Sequence, residues 1–319
     1  MYLVLTRAPC VRHREGDHTM KNFLPLRRLL PALMLCVFAA NANASSFRVQ
    51  CPNSTALHSL VSGDQPNPGI KCQQISGGDG FATMADGTQT YLFAFGPLSG
   101  MADILNGLPG TQPASVFNAN SSLHLSDLFI GAPSPFLPTT TTPYTFNGAV
   151  GMVPDPESVP TPNQLNGHVD PRLIMDVGVL NGSMPAPLMA IDEDDEFFLT
   201  LTNVGQVMRP DLFEQHTVHF HGYPNASAFY DGVPDASVAI NIGGSFTYYY
   251  LAPDAGTYFW HCHITPPEHL QMGMVGQLYV RPRQNRLAPG DNLRDGLVAQ
   301  QINKRTKCDT SAMWTPSSQ

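Results

Sequence analysis

The chain has 319 residues, a length that accommodates two domains of ordinary size. Its 27 Gly and 29 Pro beside only 13% charged residues suit a turn-rich β protein and argue against a helical bundle. A formal net charge of −8, with no basic run beyond the N-terminal segment, excludes a surface built for nucleic acid or for anionic membrane.

Residues 1–44 read as upstream residues and an export signal. In MKNFLPLRRLLPALMLCVFAANANA at 20–44, Lys21, Arg27 and Arg28 form the charged part and Leu29–Ala40 the apolar part. Ala42-Asn43-Ala44 then offers a small-x-small cleavage site before Ser45. The apolar stretch is too short to span a bilayer, and Cys36 follows Leu35 rather than a small residue, which argues against a lipid anchor. The expectation is an exported protein, periplasmic or extracellular, without a membrane span, and Met20 is a candidate start. In such an oxidising compartment Cys51 and Cys72, close together among Gly, Pro and Asn, are expected to pair. Closing that loop contributes about 3 kcal/mol in the chain-entropy model. Cys308 is left over in the polar tail.

Residues 45–171 form a Gly/Pro/Ser-rich region, read as part of the domain that follows or as an insertion in it. TTTTPYT at 139–145 and PDPESVPTP at 154–162 have loop composition, and TYLFAF at 90–95 is the one clear strand. His58, His124 and His168 stand alone and are expected to be solvated. From 172 to 283 the pattern sharpens. RLIMDVGVLNGSMPAPLMAID, EFFLTLTNVG, HTVHFHG, SVAIN, SFTYYYLAP, GTYFWHCHI and VGQLYVRP read as short strands between turn signals, the pattern of an antiparallel Greek-key sandwich or barrel. DEDDE at 192–196 reads as a solvated approach to a strand rather than a calcium site. Residues 284–319 are an irregular tail.

Two runs in this domain carry chemistry, HTVHFHG at 216–222 and HCHITPPEHLQMGM at 261–274. Side chains alternate along a strand, so His219 and His221 share one face and His216 takes the other. In the second run His261 and His263 share a face and Cys262 points oppositely. His216 and Cys262 are thereby able to meet with His269 and Met274, which gives two imidazoles, a thiolate and a weak axial thioether, the donor set of a blue type 1 copper site. Met272 competes as the thioether; Met274 is preferred because Gly273 before it permits close approach. Zinc also accepts Cys and His, but the methionine and the division into two faces disfavour it. The remaining four histidines, His219, His221, His261 and His263, form two His-x-His pairs suited to a copper cluster that binds dioxygen. Cys262 lies between His261 and His263, with successive Cα atoms ~3.8 Å apart, so a short covalent route joins the two sets.

The region 172–283 resembles a cupredoxin domain of the multicopper oxidase family, which includes laccases, ferroxidases and bilirubin oxidases. NGSMPAPLMAIDEDD resembles the family's opening NG-x-x-P-x-P stretch. H-x-x-H-x-H-G matches at His216, His219, His221 and Gly222, and H-C-H-I at His261–Ile264. The resemblance implies that His219 is a type 2 ligand and that His221, His261 and His263 are type 3 ligands. DGVP at 231–234 is similar to a stretch in which the acid corresponding to Asp231 serves proton delivery; as a residue before Gly232, Asp231 reads equally as a turn former. Glu268, beside His269, reads as a solvated carboxylate.

The match departs from the family in three ways. HCHITPPEH has two more residues than the usual HCHIxxH, so His269 is reached through Pro266 and Pro267. DGVP resembles a first domain, whereas the Cys-His-Met set resembles a last one. The family's cluster takes eight histidines from two domains, and this chain supplies four in matching motifs. A homo-oligomer, a second cupredoxin domain or subunit, or a longer form of the same oxidase would complete it. The expected function is one-electron oxidation of a small-molecule or metal-ion donor at the type 1 copper, coupled to dioxygen reduction at the type 2/type 3 cluster. The alternatives are a non-enzymatic blue-copper electron carrier or copper-binding protein, and a nitrite-reductase-like enzyme, which the second histidine of His-Cys-His disfavours.

Overall fold

A computed structural model describes residues 47–118, 147–154, 167–169, 171–223, 226–283, 290, 292, 294 and 295. The leader at 20–44, His124, the run at 139–145, most of 154–162, the side chain of His168, Cys308 and nearly all of the tail lie outside the described residues. In chain order the elements are β1 (Ile70–Thr83), β2 (Gln89–Pro97), α1 (Met101–Leu105), β3 (Gln112–Pro113), α2 (Ala114–Phe117), β4 (Met152–Pro154), β5 (Gly167–Val169) and α3 (Pro171–Gly178). There follow β6 (Met189–Asp192), β7 (Glu196–Gly205), β8 (His219–Phe220), β9 (Ser245–Leu251), β10 (Gly256–His261), α4 (Pro266–Met272) and β11 (Val275–Arg281).

One sheet runs β2-β1-β7-β9, with β3 beside β1, and a second runs β6-β11-β10-β8. The pairs β1–β7 and β6–β11 are parallel and the others in these two sheets antiparallel. Strand alternation directs one face of each sheet inward. Along β11, Gly276, Leu278 and Val280 are buried while Gln277 and Tyr279 are exposed. Phe95, Phe197, Phe220, Phe246, Tyr248, Tyr250 and Trp260 fill the space between the sheets, in the same buried cluster as Cys262 and Met274. The result is the all-β sandwich that the strand spacing implies. β1 and β2, from the Gly/Pro/Ser-rich region, belong to the same sheet as β7 and β9.

β1 is the element that the sequence conceals. Its residues IKCQQISGGDGFAT carry little β-branched or aromatic signal, yet most are buried between β2 and β7. Its glycines answer a steric need, since a Cβ on Gly80 would lie 2.0 Å from the Gly182 carbonyl oxygen. β7, buried along its whole length, hides its hydroxyls by pairing them with β9, Thr200 with Thr247 and Thr202 with Ser245, each at 2.8 Å. The strap before β1 is joined to it by the expected Cys51–Cys72 disulfide.

Three strand expectations and one loop expectation are corrected. Residues 171–178, expected to be a strand, form helix α3, in which Ile174 and Gly178 lie four apart and face the core behind a leading Pro171. SVAIN at 237–241 is not a strand; only Ile240 bridges, to His216. Of HTVHFHG, only His219 and Phe220 enter a ladder. The segment leading to His269 is a helix, α4, opened by Pro266 and Pro267, whose fixed φ suits the first helical positions.

Two charge expectations are also corrected. DEDDE is not a solvated run: Asp192 bonds Arg281, Asp194 bonds Arg283, and Asp194, Asp195 and Glu196 are buried. His58 is not a solvated loop residue either. Its Nδ1 lies 2.7 Å from Glu196 Oε2, and Thr55 Oγ1 and Tyr249 Oη donate to the same carboxylate. Burial alone would raise the Glu196 pKa, but hydrogen bonds from His58, Thr55 and Tyr249 outweigh it and hold the carboxyl below its ordinary 4.5. A carboxyl depressed on folding contributes stability above its unfolded pKa, and that contribution is lost as pH falls through the folded value. Glu196→Gln is therefore expected to lower stability at neutral pH and to flatten its fall below about pH 4.5, in urea denaturation repeated at a series of pH values.

Candidate metal centre

The first donor set converges where the two sheets meet α4. His216 is held by reciprocal backbone hydrogen bonds to Ile240, at 3.1 and 3.0 Å. Cys262 follows β10 directly, and its N–H donates to the Met274 carbonyl at 3.2 Å. The Met274 N–H in turn donates to the His269 carbonyl at 2.9 Å. Gly273, at φ +121°, supplies the turn from α4 into β11 that this closure needs. The ligand atoms of His216, Cys262 and His269 lie within 4.8 Å of one another. The sulfur faces His269 Nδ1 at 3.3 Å and His216 Nδ1 at 4.0 Å. Met274 is fully buried in the same core cluster, whereas Met272 is half-buried at its edge. The structure thus brings His216, Cys262 and His269 together, and of the two candidate methionines Met274 is the fully buried one.

Burial sets the protonation of this pocket. Desolvation, reinforced by His269, lowers the His216 pKa to about 3, so the imidazole is neutral with a free lone pair at ordinary pH. Burial pushes the Cys262 thiol up to about 11, so a cation taken by the sulfur must displace a proton. The Nε2 atoms of His216 and His269 have no hydrogen-bond partner among the described residues. Glu214 Oε2 lies 3.4 Å from His269 Nε2, within ion-pair reach but poorly directed for a hydrogen bond. Glu214, about a quarter exposed, is the acidic neighbour of this pocket that the sequence reading missed, while Glu268 is exposed as expected. The signal was present in Glu214-Gln215-His216, but nothing local shows that the carboxylate reaches across to His269.

The second set gathers at the β8–β10 pair, where His219 stands opposite His261. The ligand atoms of His219, His221 and His261 lie within 4.8 Å of one another, and the His263 ring centroid is 5.1 Å from that of His219. Backbone carbonyls fix two of the rings. His219 Nδ1 is 2.7 Å from the Asp231 carbonyl and His261 Nδ1 is 2.9 Å from the Cys262 carbonyl. Donation through Nδ1 turns each Nε2 toward the cluster with its lone pair available, that of His261 facing His221 Nδ1 at 3.4 Å. The Asp231 carboxylate is also near, with Oδ1 3.5 Å from His219 Nδ1. Unlike the thiol pocket, this set opens outward: His221 is exposed, and His219 and His263 are half-buried.

The donors fit copper. A soft sulfur with two neutral imidazoles and a buried thioether suits a redox copper, and unpartnered imidazole nitrogens in a dry pocket are costly unless a ligand satisfies them.

Comparison with known proteins agrees with this chemistry. Residues 166–285 match the family model described as multicopper oxidase. The chain is 33% identical over 118 residues to laccase abr2 of Aspergillus fumigatus, covering 36% of this chain and 19% of that protein. It is 32% identical over 112 residues to the L-ascorbate oxidase of Cucumis sativus, covering 34% and 18%. A copper-containing nitrite reductase of Rhizobium meliloti is 35% identical over 109 residues, covering 33% and 26%. The chain therefore spans roughly a fifth to a quarter of the length of these curated relatives.

Proposed function

We propose, from the premise that residues 166–285 belong to the multicopper oxidase family, that this chain is the donor-oxidising part of a copper oxidase that uses dioxygen. The convergence of Cys262 with His216 and His269 carries this reading. Copper held by the two sets would supply one-electron oxidation of a donor at the first and reduction of dioxygen at the second. His216, Cys262, His269 and Met274 would hold the type 1 ion in a pocket closed to water. His219 would serve a type 2 ion, and His221, His261 and His263 type 3 ions. Cys262 provides the covalent path between the sets through its two flanking histidines. Asp231, whose Oδ1 lies 3.5 Å from His219 Nδ1, would pass protons toward the open face.

The open face supports completion of the cluster by a second cupredoxin domain, another subunit or a second copy of this chain. The donor, a small molecule or a metal ion, would approach where Glu214 overlies His269. No helix among the described residues is long and apolar enough to cross a membrane. The Cys51–Cys72 disulfide supports export to an oxidising compartment, periplasmic or extracellular.

In the test, the copper-loaded protein, assembled so that its open histidine face is covered, should lose its visible thiolate-to-copper absorption on addition of a donor and regain it on admission of air, with consumption of dioxygen. Reversible colour without dioxygen uptake in an assembled preparation would instead indicate an electron carrier. The match to a nitrite reductase favours a second reading, in which nitrite replaces air in restoring the colour. The His263 ring beside His219 weighs against it, because a single-metal histidine site has no use for both flanking rings.

A further inference from the structure

Both imidazoles of the thiol pocket are sealed, with His216 and His269 at 0% exposure, so a donor in solution touches neither ring. An electron entering from outside must therefore cross at least one other side chain. The ring contacts of His269 among the described residues are with its fellow ligand His216, at 5.4 Å between centroids, and with Phe93, at 5.6 Å. Phe93 is buried, but the column that it begins reaches the surface. Tyr91 lies two residues earlier on the same face of β2, 5.8 Å from Phe93. Phe81 stands opposite Tyr91 across the β1–β2 ladder, 5.9 Å away and 43% exposed. Each contact in the column is edge-on, an arrangement that aromatic pairs favour. The same ladder sets Asp79 opposite Phe93 and diagonal to Tyr91, whose hydroxyl donates to Asp79 Oδ2 at 3.3 Å. The carboxylate is buried; its Oδ2 also accepts the Met208 N–H at 2.8 Å, and its Oδ1 has no hydrogen-bond partner among the described residues. Burial, followed by the charge of Asp79, pushes the Tyr91 phenol up to about 12, so it keeps its proton at ordinary pH.

We propose that Tyr91 is an electron relay, through which a one-electron donor at the exposed Phe81 end of the column, away from Glu214, reduces the copper of the thiol pocket by way of Phe93 and His269. The inference rests on the donor-set reading given above and extends it to β1 and β2, which lie outside the family match at 166–285. The step balances among named groups. The Tyr91 ring gives one electron toward copper(II) in the thiol pocket, while the phenolic O–H bond breaks and its proton passes to Asp79. The donor then returns one electron to the ring, and Asp79 returns the proton. The donor has lost one electron, the copper has gained it, and Tyr91 and Asp79 are restored. The unpartnered Oδ1 gives Asp79 spare acceptor capacity for that proton. Such an entry suits a phenolic donor too large to follow the short path beside Glu214. Phenylalanine at position 91 keeps the ring contacts and removes the exchangeable proton, so it separates a relay from packing alone.

The test compares the full chain with its Tyr91→Phe, Asp79→Asn and Phe93→Leu variants. In metal-free protein, a photo-oxidised ruthenium tris-bipyridine complex and a nitroso spin trap should place a radical adduct on Tyr91 ahead of the other tyrosines, as located by peptide mass spectrometry. Asp79→Asn should lower that adduct about tenfold, because the phenol loses its proton acceptor. In copper-loaded protein without air, hydroquinone free in solution and hydroquinone bound to dextran are compared as reductants of the thiolate-to-copper absorption. Tyr91→Phe should slow bleaching by the dextran-bound donor about tenfold more than bleaching by the free one, and Phe93→Leu should act alike. Tyr91→Phe that slows both donors equally, or neither, overturns the proposal, as does an adduct spread evenly over the tyrosines. If Asp79→Asn or Phe93→Leu does not fold, Tyr91→Phe still decides. A parent chain without thiolate-to-copper absorption refutes the donor-set reading and the relay with it, whereas full absorption with equal slowing refutes the relay alone.

Discussion

Cys262→Ser is expected to abolish the visible thiolate-to-copper absorption and to reduce donor oxidation to background while leaving the sandwich folded. Cys262 has 0% exposure, and its sulfur is the one soft anionic donor in the pocket. Serine matches its shape, but its oxygen is hard and does not ionise there, so the two imidazoles lose the partner that selects copper. The fold has reason to survive. The strand bearing Cys262 is fixed by β10–β11 pairing from Gly256 to His261, and the backbone bond to Met274 does not involve the side chain. A buried hydroxyl with incomplete partners costs about 1–3 kcal/mol, a shift that denaturant unfolding resolves. Parental colour and rate in the variant would show that Cys262 only packs the core. Asp231→Asn offers a contrast: it leaves the thiol pocket untouched, so colour should persist even where turnover slows.

The difference between what was legible and what was not follows from how locally each feature is encoded. The two ligand runs could be read because alternation along a strand fixes which side chains share a face. The structure groups His216 with Cys262 and His269, and His219 with His221 and His261, as that alternation requires. The class of fold was legible from the strands after residue 188, where β-branched and aromatic residues are dense. β1 was not, because its stability comes from neighbours on both sides rather than from its own residues, and glycine and glutamine carry no strand signal. α3 was misread because eight residues with an apolar centre, Leu173–Met175, between Arg172 and Asp176 are too few to separate the two periods. The contacts that cross the sandwich escaped altogether. His58 meets Glu196 over 138 positions, and Glu214 and Thr217 reach His269 and Cys262–His263 from a different part of the chain. Nothing in a local window specifies such pairs.

The two donor sets differ in closure, and that difference yields the other large expected effect. The thiol pocket draws every proposed donor from within one chain and buries them, so a single chain is expected to suffice for copper there. The four-histidine set leaves His221 exposed and His219 and His263 half-buried, so its unused coordination faces outward. No other His-x-His pair exists among the 11 histidines of the sequence. A preparation running as a single chain should therefore be coloured, hold about one tightly bound copper, and consume no dioxygen. Where two copies close face to face, two thiol sites and one shared three-metal cluster give about 2.5 copper ions per chain, with dioxygen uptake appearing in that fraction alone. Size-exclusion chromatography with light scattering, metal analysis of each fraction and an oxygen electrode measure all three quantities together. A single-chain fraction that consumes dioxygen as fast as an assembled one would refute the need for a second histidine set. An assembled fraction with one copper per chain would show that association covers some other surface. Colour, assembly and dioxygen uptake are thus predicted to separate in a definite order, colour with the chain alone and uptake only with the covered face, because burial completes one site and leaves the other half built.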